Sequence, residues 1–174
     1  KDPRGAGGLG LDNYVLGNIN GTVGTITYIA GTMLGGALAA RYSVRRAFFP
    51  LAFALNVPHL TYFYLSQALP SDVYLITTVV AIEKFGYGMG TCGMMLYMMQ
   101  QVAPGPYKTA HYAFATGIMA LTMMLTGMVS GRLQELLGYQ HFFAFVLLAS
   151  VPPIVIAWFA PFPHQDDAAA PAGG

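Results

Sequence analysis

SDVYLITTVVAIEKFGYGMGTCGMMLYMMQQ, residues 71–101, is apolar through most of its length and carries Glu83 and Lys84 side by side near its centre. Read as one helix, it places the two ionisable groups roughly eleven residues, or about 16 Å, from its outer end. That is close to the middle of a bilayer core about 30 Å thick. A Lys or Asp at that depth costs about 2.5–3.5 kcal/mol on insertion, with Glu comparable, whereas each Leu, Ile, Phe or Val returns about 0.3–0.6 kcal/mol. The apolar residues of this stretch therefore offset one ion pair and little more.

The rest of the chain repeats the pattern. Of 174 residues, 55% are hydrophobic and 9% charged, against about 25% charged in an ordinary soluble domain. Charge-free runs cover 13–40, 47–71, 85–107, 109–131 and 136–165, each longer than the roughly 20 residues a helix needs to cross a bilayer. The expected fold is an all-α integral membrane protein with five transmembrane helices, at about 14–40, 47–68, 72–101, 108–131 and 139–162. Residues 1–13 read as an extracytoplasmic loop, 14–162 as the membrane domain and 163–174, rich in Ala, Pro and Gly, as a disordered cytoplasmic tail. Because residue 1 is Lys and no basic-then-apolar leader follows, the chain reads as the later part of something longer.

Direction follows from RYSVRR, residues 41–46, the densest positive cluster, which the positive-inside rule places in the cytoplasm. By alternation the loop holding Asp72 falls outside and the loop holding Lys108 inside. Glycines 17, 21, 24, 31, 35 and 36 in the first span, and 117, 127 and 131 in the fourth, suit close approach of helix backbones. Pro50 and Pro58 in the second span, and Pro152 and Pro153 in the fifth, are expected to kink or open those helices.

Several function classes fall away. A net charge of +1 offers no basic face for nucleic acid. A single cysteine, Cys92, excludes an intramolecular disulfide framework and a thiolate zinc site. Gly5, Gly7 and Gly10 match G-x-G-x-x-G without a preceding strand, and no nucleophile elbow or HExxH pair is present, so neither an enzyme nor a cofactor is expected. Nine of the ten methionines lie between 89 and 128; thioethers at i and i+4 can hold Cu(I), but flexible filler in a moving helix interface explains them without metal. His59, His111 and His141 lack metal-ligand spacing and fall near predicted span ends.

Ionisable groups at mid-membrane depth point to function by default. Adjacent helix positions point about 100° apart, so Glu83 and Lys84 are not expected to satisfy one another directly. No other charged residue lies mid-span. The available partners are a proton, a substrate, a polar side chain such as Tyr87, Asn56 or Tyr97, or a helix from outside this sequence. Glu83 shares a helical face with Tyr87, Gly90, Met94 and Tyr97, a stripe suited to lining a polar path. The competing reading is a protonated Glu83 that fixes packing, with the surrounding glycines only permitting close contact.

Three stretches resemble the major facilitator superfamily, and within it the AmpG-like permeases that carry muropeptides. GGALAARYSVRR, residues 35–46, is similar to the superfamily's cytoplasmic loop pattern, with Ala40 in the place of the usual Asp and Ser43 in that of the usual Gly. AIEKFGYGMGT, residues 81–91, resembles the tenth helix of AmpG-like proteins. YKTAHYAFATGIMAL, with the later GRLQELLGYQHFF, resembles the eleventh helix and the loop into the twelfth. The resemblance implies that the five spans are helices eight to twelve of a twelve-helix fold, within the carboxy-terminal half. It implies a proton-coupled secondary transporter of a small amphiphilic solute, working by alternating access in the bacterial inner membrane together with an amino-terminal half. Glu83, Lys84, Tyr87, Tyr97 and Asn56 would then line the substrate and proton pathway, and Gly36, Arg41, Arg45 and Arg46 the cytoplasmic gating loop. In a different class stands a membrane assembly subunit whose glycine-rich helices dock partner helices.

Overall fold

The computed structural model describes residues 10–103 and 105–164. The expected loop residues 1–9 and tail residues 165–174 lie outside the described residues. Among the described residues the structure is all-helical. Helix α1 spans Asn13–Tyr42, with a π-helical stretch at Asn18–Val23. Helix α2 spans Val44–Ala68. Helix α3 spans Val73–Tyr97 and continues as a π-helical turn over Met98–Val102. The run Lys108–Ala149 breaks at Gly138 (φ 71°, ψ 165°) into α4, residues 108–137, and α5, residues 139–149; α6 follows at Val151–Trp158.

Two of these segments, Asn13–Tyr42 and Lys108–Trp158, are long and apolar enough to cross a membrane. The second holds 51 residues, about 77 Å if straight, far more than one crossing needs, and Gly138 divides it where the fourth and fifth spans were expected to separate. Helices α2 and α3 match the expected second and third spans in extent but hold no 18-residue stretch as apolar as those of the other two segments. Asn56, His59 and two prolines dilute α2, and the Glu83–Lys84 pair dilutes α3.

Local chemistry sets the boundaries. The Asp72 carboxylate accepts from the Tyr74 backbone N–H at 2.8 Å, the N-cap that starts α3. Ser43 joins α1 to α2 with φ 70° and ψ 154°, a conformation that favours glycine, at the position where the resembling loop usually carries one. Helix α2 stays continuous through Pro50 and Pro58. Pro152 and Pro153 fall in the first turn of α6, where proline needs no N–H partner, and the expected fifth span opens at this pair, between Ala149 and Val151.

Helix α3 is wedged between α1 and α2, and glycine makes this possible. A Cβ at Gly31 would collide with the Phe85 carbonyl and one at Gly88 with the Tyr28 carbonyl, so α1 and α3 touch backbone to backbone. On the other side, Gly90 and Gly93 seat Leu55 and Leu51 of α2. Ile19, Leu65, Ile76 and Val80 close one end of the trio; Ala39, Val44, Ala47 and Leu51 close the other. The fourth-span glycines behave differently from expectation. Gly117, Gly127 and Gly131 meet nothing within 4 Å, because α4 has no buried residue and no described helix lies against them.

Candidate functional site

The polar centre of the trio is Glu83. Its side chain is 5% exposed and that of Lys84 28%, and Lys84 Nζ lies 3.3 Å from Glu83 Oε1. This corrects the expectation that the two cannot meet. The Cα–Cβ bond of a helical residue leans toward the N-terminus, and a lysine stem is long enough to curl back to the preceding residue. Gly24 on α1 leaves room for that stem, whose Cγ would stand 3.3 Å from a Cβ there. The pairing is incomplete, since Glu83 Oε2 is buried without a hydrogen-bond partner. The nearby polar side chain from another helix is Tyr62 of α2, which also packs on the Ile19, Leu65, Ile76 and Val80 cluster.

The other residues expected with Glu83 disperse. Tyr87, one turn along, faces α1, its ring 5.9 Å from that of Tyr28. Gly90 packs against α2, so the predicted stripe is divided between two helix interfaces. Tyr97 lies about 21 Å along the axis from Glu83, where its hydroxyl donates to the Pro161 carbonyl at 3.0 Å and its ring stacks on Phe48 at 4.5 Å. There it anchors the chain after α6. Gln101, buried beside it, donates to the His164 carbonyl and accepts from the His164 N–H, both at 3.1 Å. The chain is thus tied down through His164, two residues into the expected tail.

Asn56 donates to the Ala52 carbonyl at 2.9 Å and lines a cavity of about 550 Å³ between α2, α4 and the α5–α6 segment, with His59, Thr126, Ser130 and Ser150. His59 stands in the middle of α2 and not near a helix end, and its Nδ1 is buried without a partner. Tyr62 and His59 are the residues that sequence reading missed. Their signal was legible, since Asn56, His59 and Tyr62 recur every third position on α2 and so share a face.

Of the loop residues, Gly36 sits inside α1, 3.8 Å from Cys92 Sγ as measured from a built Cβ. Arg41 lies 5.7 Å from the Tyr42 ring centroid in the last turn of α1. Arg45 and Arg46 occupy the first turn of α2. No group of three or more His, Cys, Asp or Glu able to hold a metal occurs among the described residues.

The sequence of the chain is similar to those of permeases. The chain is 26% identical over 149 residues to the anhydromuropeptide permease of Escherichia coli strain K12, covering 86% of this chain and 30% of that protein. It is 20% identical over 148 residues to the putative transporter AmpG 1 of Rickettsia felis, covering 85% and 33% respectively. To the putative transporter AmpG 4 of Rickettsia conorii it is 22% identical over 136 residues, covering 78% and 32%. The chain therefore spans about a third of the length of these relatives. No family model and no solved structure matches it. The chain is thus similar to AmpG-named permeases and transporters over about a third of their length, and it carries apolar helices long enough to cross a membrane.

Proposed function

We propose that this chain works as the carboxy-terminal part of a twelve-helix secondary transporter in the bacterial inner membrane, crossing it five times and moving muropeptide-like amphiphilic solutes with protons by alternating access. One observation carries the reading: a buried carboxylate, half paired with Lys84 and half unpaired, at the middle of a long helix in a chain similar to permeases. An unsatisfied carboxylate oxygen in a low-dielectric site is costly, and taking up a proton relieves that cost. Glu83 is therefore the group of this chain to which we assign the exchange of a proton. Tyr62 is placed to follow the change, and Tyr87 lines the α1 side of the same level. Gly36, Arg41, Arg45 and Arg46 form the cytoplasmic gate. The Asn56 and His59 cavity is a second polar region within the domain, and Tyr97 serves as a structural anchor.

The test uses the full-length protein in inverted and right-side-out vesicles supplied with an anhydromuropeptide. Glu83→Gln is expected to abolish acceleration of uptake by an imposed pH gradient while leaving facilitated exchange measurable. Unchanged pH-driven uptake at equal expression would reject proton coupling at Glu83. Normal folding with no solute movement in any variant or in the wild type would favour the assembly-subunit reading, which the backbone-to-backbone glycine contacts of α1 and α3 also suit.

A further inference from the structure

The α1–α2 junction carries three arginines, of which Arg41 lies over the Tyr42 ring. Among the described residues no carboxylate pairs with Arg41, Arg45 or Arg46. Arg45 and Arg46 sit in the first turn of α2, where the positive end of the helix dipole disfavours cations, so helix stability does not account for them either. Between the end of α1 and the start of α2 lies a groove of about 300 Å³ lined by Leu38, Tyr42, Arg46, Ala47, Pro50 and Leu51. Its walls are otherwise apolar, and its volume is at the lower end for small-molecule sites.

We propose that this groove seats one anionic phospholipid, its phosphate against Arg46 and Arg45 and the upper part of an acyl chain along Leu38, Pro50 and Leu51. Charge and lining agree with that occupant. An apolar groove with one guanidinium, Arg46, in its lining and two more, Arg41 and Arg45, in the adjoining helix turns matches a lipid with a negative headgroup. A zwitterionic lipid or free phosphate satisfies only part of it. Basic residues at a cytoplasmic surface attract anionic lipid in this way, and a guanidinium binds phosphate through paired N–H donors. A lipid held there bridges the end of α1 and the start of α2, on either side of Ser43, and so restrains the junction proposed above to gate the pathway. The inference rests on the membrane-spanning reading of α1 and α2.

The experiment reconstitutes the full-length protein in phosphatidylcholine vesicles containing a trace of spin-labelled phosphatidylglycerol or, separately, spin-labelled phosphatidylcholine, and reads the motionally restricted fraction by electron paramagnetic resonance. The phosphatidylglycerol label is expected to be restricted in preference. Arg46→Gln should lower that preference roughly fivefold, and Arg46→Lys should retain most of it. Leu38→Trp, which fills the slot and leaves every charge in place, should lower it as well. Equal restriction of the two labels, or a preference indifferent to Leu38→Trp, overturns the proposal, as does displacement by inorganic phosphate. A second copy on the groove would show as self-cross-linking of Leu38→Cys in a Cys92→Ser background without lipid preference, and would also overturn it. Release of the protein from vesicles by alkaline carbonate would instead reject the membrane reading itself.

Discussion

Lys84 and Glu83 make an unequal partnership, because the lysine keeps some contact with the surroundings while the glutamate does not. Removing one side of such a pair is worse than removing both. Lys84→Met leaves Glu83 with neither oxygen paired, and stranding a buried charged acceptor is expected to cost about 3–5 kcal/mol. Glu83→Gln with Lys84→Met together should recover most of that loss, since no buried charge remains. Thermal unfolding of the full-length protein in detergent, run as a double-mutant cycle, checks this; additive single and double effects would show that the 3.3 Å contact carries no coupling. The sequence shows the pair and its depth but not its closure, since closure depends on Gly24 of another helix leaving space for the lysine stem. Tyr62 was legible as a polar member of the Asn56, His59 and Tyr62 series on α2, but its approach to Glu83 was not, because a contact between helices leaves no spacing in either one.

At the scale of helices, the glycines divide by what they face, and sequence alone cannot divide them. Gly88 and Gly117 read alike as small residues in apolar helices, yet a Cβ at Gly88 would run into the α1 backbone and one at Gly117 would meet nothing described. Gly88→Ala is therefore expected to destabilise by about 1–3 kcal/mol, the cost of overpacking a tight interface. Gly127→Ala in α4 should be neutral or stabilising by up to about 1 kcal/mol within this chain, through helix propensity alone. Far-ultraviolet circular dichroism melts of both variants in one detergent measure the difference, and equal effects would show that the α1–α3 contact is looser than described. The helix breaks were more legible: Gly138 between α4 and α5, and the proline pair at the start of α6, stand where residue chemistry permits little else. Ser43 was legible only as a departure from the resembling loop, and its positive φ shows that the backbone keeps the glycine-like conformation there.

At the scale of the whole molecule, the uneven burial of its helices and the direction of its chain bear on one another. Helix α4 exposes Phe114, Leu121, Met123, Met128 and Val129, an apolar surface that in water would drive association and in a bilayer is met by lipid or by further helices. The composition made that surface legible; what covers it was not, since the chain spans only about a third of its relatives' length. If each of the five segments crosses once, the Ser43 junction and the turn before Asp72 lie on opposite faces, separated by α2. The 25 residues of α2 reach about 37 Å, enough for the roughly 30 Å core, even though α2 is not among the two most apolar segments. Ser43→Cys and Ser71→Cys, each in a Cys92→Ala background, distinguish the possibilities. A membrane-impermeant maleimide added to intact spheroplasts should label the cysteine at 71 and spare the one at 43, and inverted vesicles should reverse the result. Labelling of both from one side would mean that α2 enters and leaves by the same face, which would remove the five-span arrangement and the cytoplasmic placement of Arg41, Arg45 and Arg46 together.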